Sequence, residues 1–345
     1  MDRRRATGIG LVVVSAAGFG SGSLLAAPAY ATGVDWLTLL GWRFLVGAAL
    51  GWLWVALSPT RRAAARRMPR RQILVALGLG AMYTGNAGTY YAALETVPAA
   101  LASVLVYTYP VIVAVLSLRF ATRLPGRRPW FALVLAIVGV VLTLGGIDAS
   151  QSAPLPGLVM VMASALIYSG WIILSARLSG ERRDRIATDT PAGTSGSGSG
   201  DSAVTTAIMM TATFLVFGSA AAVTGRPLDP RTVPTDAWPL LVAIGFVASF
   251  LAIVTFYAGA RRIGAAQAAL VATVEPVYIV VVAALLLDQL LTPPQLVGAA
   301  LILVGVLIAQ TAPRPSGAPE PATPLEAELE AEPDQPPAAP GPRRA

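Results

Sequence analysis

Ten apolar runs follow one another along the chain, and short polar or Arg-containing segments separate them. About 20 apolar residues are enough to cross a bilayer as a helix. The pattern therefore predicts an all-α polytopic membrane protein with ten transmembrane helices, of which the seventh has the weakest apolar pattern. The predicted spans are Gly8–Tyr30, Trp36–Leu57, Gln72–Thr96, Pro98–Phe120, Trp130–Gly146, Leu155–Leu178, Ala203–Gly225, Ala237–Ala260, Ile263–Leu287 and Gln295–Gln310.

The remaining segments divide the chain into two halves and a tail. Residues 1–7 form a basic N-terminus, 8–146 a first five-helix half, 147–154 a connecting loop and 155–310 a second five-helix half. Within the second half, 179–202 reads as a flexible cytoplasmic loop because it contains GTSGSGSG. The Pro-, Ala- and Glu-rich residues 311–345 are predicted to be a disordered cytoplasmic tail.

The first run also resembles a signal peptide, since Arg3–Arg5 precede it and small residues end it. The helix count requires this segment, so we expect it to remain as a span. Its G-F-G-S-G stretch at Gly18–Gly22 follows no strand and is not a dinucleotide fingerprint. Small residues at this spacing let membrane helices approach closely.

Composition narrows the chemistry that is open to such a protein. Of the 345 residues, 55% are hydrophobic and 12% are charged, against about 25% charged in a soluble domain. The absence of Cys and His excludes disulfides, Cys or His metal sites and His bases. All 25 basic residues are Arg, which excludes lysine chemistry and is associated with GC-rich bacterial genomes.

The arginines also predict the orientation, because cytoplasmic loops of membrane proteins attract Lys and Arg. With the N-terminus inside, nearly all arginines lie in inside segments. Only Arg226 and Arg231 lie outside, and Arg43 lies within a span. Ten spans then place both termini in the cytoplasm, and the short Arg-containing loops give no sign of a nucleic acid partner.

The two halves are related by an internal repeat with a constant shift of 166 residues. This shift aligns Tyr91 with Tyr257, and Pro110-Val111 with Pro276-Val277. It continues without a gap until Val138-Gly139-Val140 aligns with Val304-Gly305-Val306.

Charges differ where apolar positions agree. Glu95-Thr96 aligns with Arg261-Arg262, so equivalent loops carry opposite charge. Five spans per half, an odd number, place equivalent loops on opposite sides of the membrane. Inverted repeats of this kind are typical of secondary transporters, which rock around a site at the midplane.

These residues resemble the drug/metabolite transporter superfamily, in its EamA-type family. The resemblance rests on Arg43 in GWRFLVGA, on the pattern A-x-x-A-x-x-x-x-x-x-x-P in the fourth and ninth helices, and on LLLDQLLTPPQLVGAALILVGV at Leu285–Val306. It covers about Gly8–Ala312 and implies export or exchange of metabolites, amino acids or drugs. The family usually has a Gly-Glu pair after both helices. Here Asp288 and Thr122 occupy the acid positions, and the linker and tail also depart from the pattern.

Glu275 and Arg43 are the only charges well inside the predicted spans. Ionisable groups there are expensive and mark functional sites. We expect Glu275 to line a central cavity and to couple transport to protons, because its repeat equivalent is Tyr109 and a structural device would occur in both halves. Arg43 is always charged, so it suits an anionic group. The alternative is a permanent Arg43–Glu275 ion pair that only holds the bundle together.

Other candidates are polar, aromatic or helix-perturbing. Some of the polar or aromatic positions on the predicted helices are expected to line a substrate path, and these positions are Tyr83, Asn86, Tyr90, Tyr91, Tyr107, Tyr109, Tyr168, Trp171, Ser249 and Tyr257. Tyr109, Asn86 and Trp171 are the better candidates for such a lining, whereas Tyr90, Tyr91 and Tyr257 have the pattern of interfacial anchors. Pro110 and Pro276 are expected to perturb equivalent helices and free backbone carbonyls, with simple packing kinks as the alternative. For Asp288 we expect a cap or loop contact rather than coupling.

The sequence thus predicts a multi-pass transporter of the bacterial inner membrane that moves a small organic solute by alternating access, with export favoured by family analogy. A non-transporting structural or signalling protein and an intramembrane enzyme are the alternatives, and enzymatic activity is not expected. The expected partners are the lipid bilayer and a small solute. Protons are a candidate coupling ion and a homodimer is a candidate assembly, whereas no cofactor, metal or nucleic acid is expected.

Overall fold

The computed structural model describes residues 3–120, 128–145, 153–178, 202–226, 228–263, 268 and 271–310. All of them belong to one compact unit, Met1–Ala312. The predicted tail 311–345 and nearly all of the predicted flexible loop 179–202 lie outside the described residues.

Regular structure in the described part of the chain is helical throughout. The helices are α1 (Arg3–Leu24), α2 (Ala26–Ala31), α3 (Trp36–Ala56), α4 (Pro59–Arg67), α5 (Arg70–Ala93), α6 (Ala99–Val106), α7 (Tyr109–Phe120), α8 (Arg128–Gly145), α9 (Leu155–Leu178), α10 (Ser202–Val223), α11 (Ala237–Ile244), a π-helix (Gly245–Leu251), α12 (Ala252–Ile263), α13 (Val274–Leu286) and α14 (Pro293–Gln310).

Helices occupy each of the ten predicted apolar runs, which confirms the all-helical membrane-type fold. Five stretches are long and apolar enough to cross a membrane, and one of them is the seventh run, in spite of its weak pattern. These five are Arg3–Ala31, Trp36–Ala56, Leu155–Leu174, Ala203–Val223 and Ala237–Ala260. Shorter apolar helices cover Ala99–Val113, Trp130–Leu144, Val274–Leu286 and Pro293–Ile308. The number of crossings stays a prediction.

One short helix, α4, was not predicted from the apolar pattern. It lies between the second and third runs and has no buried residue. Its start has ordinary helix signals, because Ser58 accepts a hydrogen bond from the Arg61 N–H and Pro59 occupies the first turn. The Arg61 guanidinium lies 4.0 Å from the centre of the Trp54 ring, so α4 packs back on the end of α3.

Contacts between the halves come in exchanged pairs. The first helix of the first half, α1, packs on α12, the third segment of the second half. The first helix of the second half, α9, likewise packs on α5, the third of the first half. The second helices α3 and α10 pack together, as do the fifth helices α8 and α14. A pseudo-twofold relation between two five-helix repeats has this contact pattern.

The glycines of α1 sit where neighbouring helices come closest. A Cβ atom on Gly18 would lie 3.0 Å from the Ala252 Cβ, and one on Gly22 would lie 2.6 Å from the Ala248 Cβ. On the other side of the helix, a Cβ on Gly20 would lie 2.8 Å from Ile279. The small residues therefore let α1 enter between the eighth and ninth segments, as the G-F-G-S-G pattern predicts.

The fourth and ninth segments are interrupted at equivalent positions. The fourth ends as α6 at Val106 and resumes as α7 at Tyr109, so that Pro110 is the second residue of the new helix. In the ninth, Thr273 forms a turn and Pro276 is the third residue of α13. A proline lacks the N–H that would continue the preceding helix, so each break falls immediately before its proline.

Candidate functional site

A cavity, the central cavity, lies among α1, α3, α5, α6, α7, α9 and α13. The centre of a water molecule can occupy about 110 Å³ of this cavity. This volume is enough for several waters. Its polar lining is Ser23, Arg43, Tyr83, Asn86, Tyr90, Tyr91, Ser103, Tyr107, Tyr109, Ser164, Tyr168 and Glu275. Both interrupted helices contribute to it, so the breaks lie at the cavity wall.

The structure brings four of the five predicted lining residues together here. Glu275, Arg43, Tyr109 and Asn86 all face the central cavity. The fifth, Trp171, lines a smaller neighbouring cavity that shares Phe19, Arg43 and Tyr83 with the first. Arg43 therefore lines both cavities.

Glu275 lies in the first turn of α13, beside the helix break. Its Oε2 atom is 3.2 Å from the Tyr107 hydroxyl. That hydroxyl is also 3.0 Å from the backbone carbonyl of Ala272. Ala272 is four residues before Pro276, so its carbonyl is the one that the proline leaves without an N–H donor. Tyr107 thus serves both the acid and the freed carbonyl.

Arg43 is only 6% exposed and has no carboxylate partner among the described residues. Its Nε donates to the Ser249 Oγ at 3.0 Å. Its guanidinium carbon lies 4.8 Å from the centre of the Tyr91 ring and 5.1 Å from that of Phe44. Arg43 and Glu275 face one cavity without forming the direct ion pair that was the alternative interpretation.

Ser249 was one of the polar positions on the predicted helices, but its bond to Arg43 depends on an irregular helix. It lies in the seven-residue π-helix Gly245–Leu251 between α11 and α12. Such segments are uncommon and often occur at functional sites. A Cβ atom on Gly245 would lie 2.6 Å from the Val46 Cβ, so the glycine lets the π-helix approach α3 closely. The side chain of Ser249 thereby reaches Arg43.

An aromatic wall closes the side of the cavity next to α9. The Tyr168 ring lies 4.7 Å from Tyr109 and stacks at 5.8 Å on Trp171, measured between ring centres. The Tyr168 side chain is 5% exposed, yet its hydroxyl has no hydrogen-bond partner among the described residues. Nearby, Asn86 accepts a hydrogen bond of 2.7 Å from the Ser164 hydroxyl.

The neighbouring cavity, the Met-lined cavity, is more apolar. The centre of a water molecule can occupy about 50 Å³ of it. Its lining includes Trp171, Met209, Met210, Ala248 and Ile253. Trp171 is completely buried, and its indole N–H donates to the Leu79 carbonyl at 2.9 Å. The Trp171 ring is therefore a fixed wall of this cavity.

The anchor assignment of Tyr90 and Tyr91 was wrong. Both face the central cavity, and Tyr91 is 4% exposed beneath the Arg43 guanidinium. Their place in the sequence suggests a helix end, but α2 covers this end, where the Tyr30 hydroxyl donates to the Tyr91 carbonyl. Tyr257 lies 3.4 Å from Thr206, hydroxyl to hydroxyl, and its anchor role stays a prediction.

Asp288 lies outside both cavities. It is exposed and has a φ of 53°, and the next residue, Gln289, donates its N–H to the Ala283 carbonyl. Asp288 thus belongs to the turn that ends α13, as the cap or loop expectation describes. Its repeat counterpart, Thr122, lies outside the described residues.

The repeat shift of 166 residues also relates residues that line these two cavities. It pairs Arg43 with Met209, Tyr83 with Ser249, and Tyr109 with Glu275. The repeat equivalents of Arg43 and Ser249 are therefore Met209 and Tyr83, which both pack against the core cluster around Trp171. Equivalent positions of the two repeats thus line the cavities, but they carry different kinds of side chain.

Comparison with known proteins gives a consistent result. The model of the EamA-like transporter family matches residues 6–145 and 155–311. The uncharacterized transporter sll1319 of Synechocystis sp. is 23% identical over 244 residues, 69% of this chain and 67% of that protein. The uncharacterized transporter YcbK of Bacillus subtilis is 24% identical over 209 residues, 59% of this chain and 61% of that protein.

The chain thus matches about two thirds of the length of these relatives. A solved crystal structure superposes with a TM-score of 0.54 at 21% sequence identity, and the match covers 86% of this chain and 96% of that chain. This likeness concerns the fold alone.

Proposed function

The chain belongs to the EamA-like transporter family and is a membrane transporter, and we propose that it moves a small organic solute across a bacterial inner membrane by alternating access. Ten helices cross the bilayer in this proposal, with both termini in the cytoplasm. The solute binds in the central cavity, and its movement is coupled to protons through Glu275. Export is the proposed direction.

The exchanged helix pairs support the alternating-access part. An odd number of helices per repeat inverts the second half relative to the first, so the same contacts occur twice with opposite orientation. A cavity between such halves can open to one side when one set of contacts closes, and to the other side when the exchanged set closes. The central cavity lies between the halves, since both supply its lining.

Glu275 is the only carboxylate among the described residues that line the central cavity. The groups that face it are tyrosines of α5, the α6–α7 break, α7 and α9, together with the cation Arg43 of α3. Arg43 keeps its charge, and tyrosine gives up its proton only at high pH. Glu275 is therefore the group in this cavity that can bind and release a proton during a transport cycle.

The hydrogen bonds around Tyr107 offer a link between this proton and the helix break. When Glu275 is ionised it can only accept hydrogen bonds, so the Tyr107 hydroxyl donates its single hydrogen to the carboxylate. When Glu275 is protonated it can donate to the Tyr107 oxygen. The Tyr107 proton then turns to the Ala272 carbonyl, 3.0 Å away. Protonation of the acid thus adds a donor at the carbonyl that Pro276 leaves free.

The observation that carries the proposal is the meeting of Glu275, Arg43 and both helix breaks at one cavity between the halves. The test uses the full-length protein in lipid vesicles loaded with an isotope-labelled extract of bacterial metabolites. Mass spectrometry identifies the labelled compounds that leave, with and without an imposed pH gradient. Vesicles without protein are the control for leakage.

We expect one compound or a small chemical group to leave faster than from protein-free vesicles, and the pH gradient to change that rate. No protein-dependent efflux or uptake under either condition would contradict transport. Protein-dependent flux that is the same with and without the gradient would contradict proton coupling and leave transport standing.

A further inference from the structure

The charge of Arg43 is not balanced within the described protein. Its side chain is nine-tenths buried, its Nε bonds to neutral Ser249, and its other close partners are two aromatic rings. A buried charge without a counter-ion is unfavourable, because it has lost its hydration without gaining a partner of opposite charge. An anionic group bound at Arg43 would remove that cost. The buried hydroxyl of Tyr168, which has no partner in the part of the chain that the structure describes, is a second unsatisfied polar group at the same cavity.

Arg43 lies where two chemically different spaces meet. On one side is the central cavity, with its hydroxyl groups and Glu275. On the other is the Met-lined cavity, with the side chains of Trp171, Met209 and Met210. Methionine and tryptophan walls favour an apolar or aromatic group, because methionine adapts its shape and makes favourable contacts with rings.

We propose that the solute is an amphipathic organic monoanion whose carboxylate binds Arg43 and whose apolar body fills the Met-lined cavity. This rests on the proposed function and deepens it by naming the substrate class. The carboxylate accepts hydrogen bonds from the guanidinium, and its remaining oxygen lone pairs point toward the hydroxyl-lined central cavity. The apolar body packs between Met209 and the fixed ring of Trp171.

A multiply charged anion fits this site less well. Arg43 is the only cation among the described lining residues of the two cavities, and the carboxyl group of Glu275 faces the same space. A phosphate monoester brings about two negative charges near neutral pH, so one of them would be left without a partner. A single carboxylate matches a single guanidinium.

Three small molecules separate the parts of this proposal. Phenylacetate has both the carboxylate and an apolar ring, phenylacetamide has the ring without the charge, and acetate has the charge without the ring. Binding of each to the purified full-length protein in lipid nanodiscs is measured by isothermal titration calorimetry. The wild-type comparison needs no variant, so it remains valid if a substitution disturbs folding.

Wild-type protein is expected to bind phenylacetate at least about tenfold more tightly than either other probe. In Arg43→Gln the preference for phenylacetate over phenylacetamide disappears. In Met209→Gln, which keeps the side-chain length, the preference over acetate falls instead. Arg226→Gln, outside both cavities, keeps both preferences. Equal binding of phenylacetate and phenylacetamide by the wild type, or preferences that survive in Arg43→Gln, would overturn the proposal.

Failure of this inference is distinguishable from failure of the proposed function. If none of the probes binds while labelled metabolites still leave vesicles in a pH-dependent way, the substrate class is wrong and the transport proposal stands. If phenylacetate binds with the expected preferences but no flux occurs in vesicles, the site assignment stands and transport is wrong.

Discussion

The two helix breaks at the central cavity share a geometry and differ in chemistry. In the first half the break reads Tyr107-Thr108-Tyr109-Pro110, and in the second it reads Thr273-Val274-Glu275-Pro276. The prolines align and both helices restart beside them. Only the second break carries an acid, and only the first carries the tyrosine that donates a hydrogen bond to it. The repeat therefore supplies the frame, and the differences between its copies supply the candidate chemistry.

A similar contrast separates the second helices of the halves. Arg43 on α3 and Met209 on α10 occupy equivalent positions, one charged and one apolar. The repeat equivalents of the hydrogen-bonded residues Arg43 and Ser249 are Met209 and Tyr83. A polar central cavity beside a more apolar Met-lined cavity suits a solute with two unlike ends.

The largest effect is expected when this second contrast is removed by Arg43→Met. A hydrogen bond to a charged group contributes about 1.5–3 kcal/mol, and about 1.4 kcal/mol corresponds to a tenfold change in affinity. We expect the apparent affinity for the transported solute to fall by about tenfold or more in vesicle transport assays.

Arg226→Met is the matched control for that substitution. Arg226 is part of an exposed pair, 3.3 Å from Asp35, and exposed ion pairs contribute little. The apparent affinity of Arg226→Met for the transported solute should stay within about twofold of wild type. If Arg43→Met and Arg226→Met change the affinity for the solute equally, Arg43 does not bind the solute.

Tyr107→Phe tests the bond that joins the two breaks. The variant keeps the ring and loses the hydroxyl that serves Glu275 and the Ala272 carbonyl. We expect pH-gradient-driven transport to fall about three- to tenfold, because one hydrogen bond is lost and water replaces part of it. Tyr257→Phe removes a hydroxyl outside both cavities and should have little effect. If Tyr257→Phe lowers driven transport as much as Tyr107→Phe does, the link between acid and break is wrong.

The smallest effect is expected from the prolines. In Pro276→Ala the new N–H competes with Tyr107 for the Ala272 carbonyl, so we expect driven transport to change by about twofold. In Pro110→Ala the new N–H faces the Val106 carbonyl, to which no tyrosine hydroxyl donates in the described structure, so its effect should be smaller still. The initial rates of the two variants, at equal protein levels in vesicles, make the comparison. A larger effect in Pro110→Ala than in Pro276→Ala would contradict the claim that the break of the second half is the one linked to transport.

Much of the frame could be predicted from the sequence. Apolar length gave the helices, and aligned residues such as Pro110 and Pro276 gave the repeat, because both depend on local pattern and on spacing along the chain. Glu275 and Arg43 were candidates because they are charges deep within apolar runs, and Asn86 and Tyr109 because they are polar or aromatic residues on the same kind of run. A polar residue buried in a bundle usually faces other polar residues or a cavity.

The remaining site residues depend on tertiary structure. Ser249 reaches Arg43 only because α11 and α12 are joined by a π-helix, and no short sequence pattern predicts that insertion. Tyr90 and Tyr91 lie near a helix end, where aromatic residues usually anchor at the interface. The short helix α2 and its Tyr30 contact cover that end instead. Tyr107 was among the polar positions, but its bond to Glu275 depends on how α6 packs against α13.

The central claim is that Glu275 couples solute movement to protons, and Glu275→Gln tests it most directly. Gln keeps the shape and the hydrogen-bonding reach but cannot release a proton. Two rates are measured in vesicles with one labelled solute: accumulation driven by a pH gradient, and exchange of labelled for unlabelled solute without a gradient. Asp288→Asn is the matched control, since Asp288 is an exposed carboxylate outside the cavities and Asn tolerates its positive φ. We predict that Glu275→Gln loses driven accumulation and keeps exchange, while Asp288→Asn keeps both. Driven accumulation at the wild-type rate in Glu275→Gln would contradict the claim.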